Sequence, residues 1–234
     1  MPVVLHANPA VHTREHKSLL AAVEKRLLVW IARHLPPWVG SDHLSLVGLV
    51  SMVVAGACLL AQGVSSWAVP GAVVALALNW FGDSLDGTVA RVRGQERPRF
   101  GYYVDHVIDL AGTACLMGGL ALSGLMSPMI ALLVLIGYVL VCAESYLATH
   151  AAGIFRLSLV GCGPTELRIV LAIGLVKAAA SPWVAVPGFG PARLFDVGGT
   201  VAAAGLLVAF LVSSVRNVRA LHAAEPLPRA VRAQ

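Results

Sequence analysis

The sequence predicts an all-α integral membrane protein, with an N-terminal amphipathic surface helix followed by six transmembrane helices. Three observations lead there. Hydrophobic residues make up 58% of the 234 residues and charged residues only 12%, about half the ~25% of an ordinary soluble domain. A water-facing surface needs charges that this chain does not carry. The apolar residues, at a mean hydropathy of +0.79, fall into runs close to the ~20 residues that cross a hydrocarbon core. Basic residues gather in alternate connections between those runs, the pattern that orients a membrane protein.

Residues 14–34 come first. Leu19, Leu20, Val23, Leu27, Trp30 and Ile31 repeat at helical spacing, with Lys17, Glu24, Lys25 and Arg33 at other positions. That pattern suits a helix lying on a membrane surface. Pro36 and Pro37 end it, and Ser41-Asp42 offers a cap for the first span. The six spans are predicted at residues 44–60, 67–81 with a polar continuation to 91, 102–125, 129–149, 167–186 and 194–215. The chain thus divides into a cytoplasmic segment at 1–43, a membrane domain at 44–217 and a tail at 218–234. More than 40 residues, polar or amphipathic, precede the first long apolar run; a cleavable signal peptide is not expected.

The N-terminal segment holds Arg14, Lys17, Lys25, Arg26 and Arg33, the second connection holds Arg91, Arg93, Arg97 and Arg99, and Arg216, Arg219, Arg229 and Arg232 follow the last span. The connections on the other side hold Arg193 alone. Both termini and the Arg-rich connections are therefore expected in the cytoplasm, as an even number of spans requires. The net charge of +5 fits anionic lipid. No basic tract with interleaved aromatics exists, so nucleic acid is not an expected partner. Cys58, Cys115, Cys142 and Cys162 form no CxxC pair and read as buried free thiols. Tyr102, Tyr103, Trp67 and Trp183 read as interfacial anchors. Asn79 reads as an interhelical hydrogen bond. Glu144, inside an apolar run, either pairs with a neighbouring helix, Lys177 or His150, or lines a cavity.

Four of the six aspartates fall within 27 residues: Asp83, Asp86, Asp105 and Asp109. Ionisable groups at membrane depth are costly and mark function. The first pair is spaced i, i+3 and the second i, i+4, so each shares a helix face. The short connection between them makes the two helices antiparallel neighbours, and all four carboxylates converge. Converging carboxylates repel unless a cation lies between them. An all-oxygen donor set selects Mg²⁺ or Mn²⁺, and four acidic groups suit two ions. The constellation reads as a two-metal phosphoryl-transfer centre. Gly82, Gly87, Ala90 and Gly101 flank the carboxylates and leave room for a nucleotide. Arg91 would either hold a phosphate or anchor to lipid.

These residues resemble the signature of the CDP-alcohol phosphotransferases. It reads here Asp83-Ser-Leu-Asp86-Gly87-Thr-Val-Ala90-Arg91, then nine residues, then Gly101-Tyr-Tyr-Val-Asp105-His-Val-Ile-Asp109, with every fixed position filled. The resemblance implies a surface helix and six spans, a homodimer, and metal-dependent displacement of CMP from a CDP-linked donor by an acceptor alcohol. It implies Asp83, Asp86 and Asp105 as metal ligands, Asp109 as the base that activates the acceptor hydroxyl and as a further ligand, and Gly87, Ala90, Arg91 and Gly101 as the CDP pocket. Among such chains it favours CDP-diacylglycerol as donor, in phospholipid synthesis at a bacterial plasma membrane with the site facing the cytoplasm. His106 gives the string Val104-Asp105-His106, similar to the choline and ethanolamine branch, where a CDP-linked head group passes to a lipid hydroxyl. Arg156, Glu166 and Arg168, on the same side as the aspartates, are candidates with His106 for acceptor binding; Gly163–Thr165 and Glu166 also read as a cap for the fifth span. A cation- or proton-coupled transporter is the competing class, since clustered carboxylates also carry ions; the absence of an inverted repeat and the expected position of the aspartates at the cytoplasmic edge, away from mid-membrane, speak against it.

Overall fold

The computed structural model describes residues 21–152 and 163–225. Among them are seven helices and one β-hairpin: α1 (Ala21–His34), α2 (Ser41–Leu60), α3 (Ala68–Val92), α4 (Pro98–Leu122), α5 (Pro128–Ala152), α6 (Pro164–Ala180), β1 (Trp183–Val186), β2 (Gly190–Arg193) and α7 (Leu194–Ala224). Among the described residues, α2, α3, α4, α5 and α7 are long and apolar enough to cross a membrane. The all-α membrane architecture is as the sequence predicts. The segment expected as a surface helix is helical over Ala21–His34; its expected start at Arg14 lies outside the described residues.

Two boundaries differ from expectation. The run 167–186 is not one helix: α6 stops at Ala180 after 17 residues, and Trp183–Val186 pairs antiparallel with Gly190–Arg193. Pro182 ends the helix, and the Trp-Val-Ala-Val string that follows is β-favouring. Hydropathy alone does not separate the two. Trp183 still sits exposed, with the Arg193 guanidinium 5.8 Å over its ring. Second, the Ser41-Asp42 cap is replaced. α2 begins at Ser41 with Gly40 as its N-cap, and the His43 ring accepts the Gly40 N–H at 3.1 Å.

Close helix approach organises the bundle around α2. A Cβ on Gly82 would stand 2.5 Å from the Leu44 carbonyl oxygen and 2.6 Å from the Gly48 nitrogen, so α2 and α3 touch backbone to backbone. A Cβ on Gly119 would stand 2.6 Å from the Gly56 carbonyl oxygen, and α4 therefore meets α2 in the same way. Such small-residue contacts are how helices associate where lipid removes the hydrophobic drive between them. Below them Ala55, Leu59, Ala72, Leu76, Leu116 and Leu120 fill the core. A second cluster, of Leu28, Ala32, Leu44, Leu85 and Val89, seats α1 under α2 and α3. Arg93 ties down the turn between α1 and α2: its guanidinium donates to the carbonyls of Leu35, Pro36, Pro37 and Val39. α5 packs on α4 and α7, and α6 on α3. Glu144 settles on the neighbouring helix: it accepts from Ser213 at 2.8 Å and Asn217 at 2.6 Å, both on α7. Aliphatic side chains cover the outer faces of α6 and α7, among them Val170, Ile173, Val201 and Val212. In water these faces would be costly; in lipid they are ordinary.

Candidate active site

α3 runs unbroken through Asp83 and Asp86 to Val92, and α4 starts at Pro98, whose ring suits a first helical position. Helical periodicity then turns Asp83 and Asp86 to one side of α3, and Asp105 and Asp109 to the facing side of α4. One cleft receives all four carboxylates, and Ser45, Gly48, Asn79 and Ile108 complete its lining. Oxygens of Asp83, Asp105 and Asp109 lie within 4.8 Å of one another. Asp86 stands beside this triad, not within it. Its carboxylate accepts from Ser45 Oγ at 2.6 Å and from the Gly87 N–H.

The triad has the chemistry of a divalent-cation site. It offers oxygen donors alone, half-buried and a ligand's width apart, and such sets suit hard cations. Arg168 approaches one member of the triad, its Nη2 donating to Asp83 at 2.6 Å. The residues present therefore fit a divalent cation.

The other expected residues divide. Arg91 folds back along α3. Its Nη2 donates to Thr88 Oγ1 at 3.1 Å, and a Cβ on Gly87 would meet its Nη1 at 3.2 Å, so the missing side chain makes room for the guanidinium. Ala90 is half-buried on the same helix. Gly101 is exposed, with nothing within 4 Å of where a Cβ would point. His106 Nδ1 lies 3.2 Å from Asp105 Oδ2, and its ring stacks on Tyr102 at 4.1 Å and nears Tyr146 at 5.1 Å. Tyr102, expected as an interfacial anchor, is thus part of a ring cluster beside the aspartates. Glu166 accepts the Gly163 N–H at 3.0 Å and so caps α6. Arg168 reaches Asp83 and, through Nε, Asn79 Oδ1 at 2.7 Å. Arg156 lies outside the described residues.

Four contributors escape sequence reasoning, in whole or in part. Ser45 and Gly48 come from α2, which carries no acidic residue of the motif; a hydroxyl one turn inside an apolar helix is the signal that marks Ser45. Asn79 does make the expected interhelical bond, donating to Gly48 O at 3.0 Å, but it also receives Arg168. Glu24 has no motif at all, yet its Oε1 accepts from Trp80 Nε1 at 2.8 Å and Thr165 Oγ1 at 2.6 Å.

The fold and site together define an integral membrane helical bundle with an aspartate cluster between the second and third of its long helices. The model of the CDP-alcohol phosphatidyltransferase family matches residues 38–211, and the chain belongs to that family. No curated protein matches it. Membership makes the chain a transferase of a phospholipid-synthesis family, which moves a phosphate-linked group from a CDP-alcohol to an acceptor and generally uses a divalent metal.

Proposed function

We propose that the chain transfers a phosphatidyl group from CDP-diacylglycerol to the hydroxyl of a small alcohol, releasing CMP. The observation that carries this reading is the convergence of Asp83, Asp105 and Asp109 in one cleft that Asp86 also lines. Asp83, Asp86 and Asp105 would hold two Mg²⁺ or Mn²⁺ ions, with Asp109 as a further ligand. Bound there, the ions supply charge neutralisation for the diphosphate and for the departing CMP.

The chain's own residues do the rest. Gly87, Ala90 and Gly101 leave α3 and α4 without bulk where the nucleotide enters, and Arg91 pairs with a phosphate. The acceptor oxygen attacks the phosphorus that carries the diacylglycerol. A new P–O bond forms as the bond to the bridging oxygen breaks, and CMP carries away that electron pair. Asp109 takes the hydroxyl proton during the attack. His106, Arg156, Glu166 and Arg168 are the candidates for binding the acceptor. In this reading α6 is the fifth of six spans, two chains pair as a homodimer, and the site faces the cytoplasm of a bacterial plasma membrane.

The test is CMP release from CDP-diacylglycerol by the purified chain, with Mg²⁺ or Mn²⁺ and a panel of acceptors: glycerol 3-phosphate, inositol phosphate, serine and inositol. Release with one acceptor supports the reading. Release only from CDP-choline or CDP-ethanolamine, with diacylglycerol as acceptor, replaces it with head-group transfer. No release from either donor, by folded protein that binds metal, returns the ion-transporter alternative.

A further inference from the structure

Glu24 belongs to the surface helix, far in sequence from the aspartates. Its Oε1 nonetheless joins three helices. It accepts from Trp80 Nε1 at 2.8 Å and lies 3.5 Å from Ser84 Oγ, both on α3, and it accepts from Thr165 Oγ1 at 2.6 Å, in the first turn of α6. Trp80 and Ser84 bracket Asp83. Thr165 and Arg168 are spaced i, i+3 and share a face of α6. That face meets α1 through Thr165, at Glu24, and α3 through Arg168, at Asn79 and Asp83. α6 has few other supports, since it packs mainly on α3 and only slightly on α7.

We propose that Glu24 is a positioning residue of the metal centre, holding the start of α6 against α3 so that Arg168 keeps the Asp83 carboxylate in its ligating orientation. The inference rests on the metal-site reading above. Arg168 binds one oxygen of Asp83 and does not line the cleft, whereas Asp83 does. The guanidinium therefore stands behind the ligand and leaves the other oxygen to the ion. Partners in that position set ligand orientation, and losing them costs ~10–100-fold in metal affinity. Glu24 acts one step further out, through the placement of α6. All three groups around Oε1 are neutral donors, so the role needs an acceptor oxygen and not a charge.

The experiment is Mn²⁺ binding by the full chain in detergent, followed by electron paramagnetic resonance, for wild type, Glu24→Gln, Glu24→Ala, Thr165→Val and Arg168→Gln, with KM and kcat measured alongside. Arg168→Gln is expected to weaken Mn²⁺ ~10–100-fold, and Glu24→Ala and Thr165→Val about 10-fold. Glu24→Gln keeps an oxygen and is expected within about twofold of wild type. A purely structural Glu24 would lower the amount of folded protein and leave the affinity of what remains unchanged, and that result overturns the proposal. So does Mn²⁺ binding that tightens in Arg168→Gln, which would make the guanidinium a competitor of the ion. Should Glu24→Ala fail to fold, Thr165→Val, which keeps the side chain's shape, decides alone. Wild-type protein that binds no Mn²⁺ sinks the metal reading itself, a separate outcome.

Discussion

Ser45 donates a 2.6 Å hydrogen bond to Asp86, and this contact makes α2 a third wall of a site whose carboxylates come from α3 and α4 alone. The bond draws Asp86 toward α2 and away from the triad. Ser45→Ala is expected to release it at a cost of ~1 kcal/mol, the usual net worth of a hydrogen bond. Turnover should fall about fivefold with the fold intact, as read by CMP release and by thermal unfolding.

Asp109→Asn removes a proton acceptor and keeps the shape of the side chain. If Asp109 takes the acceptor's proton, kcat should drop ~10²–10⁴-fold. Donor binding, measured by KM or by protection from proteolysis, should move far less.

Gly82 and Gly101 flank the same carboxylates and should answer oppositely to alanine. A Cβ at Gly82 meets backbone of α2 at 2.5 and 2.6 Å; neither helix can yield without opening the α2–α3 contact. Gly82→Ala is expected to destabilise the protein by ~1–3 kcal/mol, read as a lower midpoint of thermal unfolding. A Cβ at Gly101 meets nothing within 4 Å, and alanine is the better helix former. Gly101→Ala should fold at least as well as wild type, and a rise in KM for the CDP-linked donor would then report nucleotide packed against that face.

Arg93 donates to four carbonyls of the α1–α2 turn. Arg93→Gln cannot reach them all. Limited proteolysis should cut faster near residues 35–39, with KM for both substrates unchanged.

The aspartates were legible because their spacing is helical and their cost in lipid is high; that logic needs only α3 and α4. Their lining was not, because it comes from elsewhere in the chain. Ser45 and Glu24 stand 41 and 141 residues from the partners they meet, Asp86 and Thr165, and no local pattern encodes such a distance. The long apolar helices were legible from hydropathy, which counts apolar residues without asking their conformation. The same blindness extended α6 into Trp183–Val186, where β-favouring residues after Pro182 make a strand. Arg93 shows a third limit. Its charge reads as a topology signal, whereas the geometry of its guanidinium fixes a turn.

α7 is the longest helix, at 31 residues, or about 46 Å. Near its first turn Asp196 accepts from the Ser127 N–H and hydroxyl, both at 2.6 Å. Arg216 is the next charged residue along it, twenty positions on and thus about 30 Å away. That is the thickness of a hydrocarbon core. The spacing of the two charges matches that thickness, which makes the helix between them a gauge of bilayer depth. A thinner membrane would force α7 to tilt, and with it α5, which Glu144 fastens to Ser213 and Asn217 near the same end.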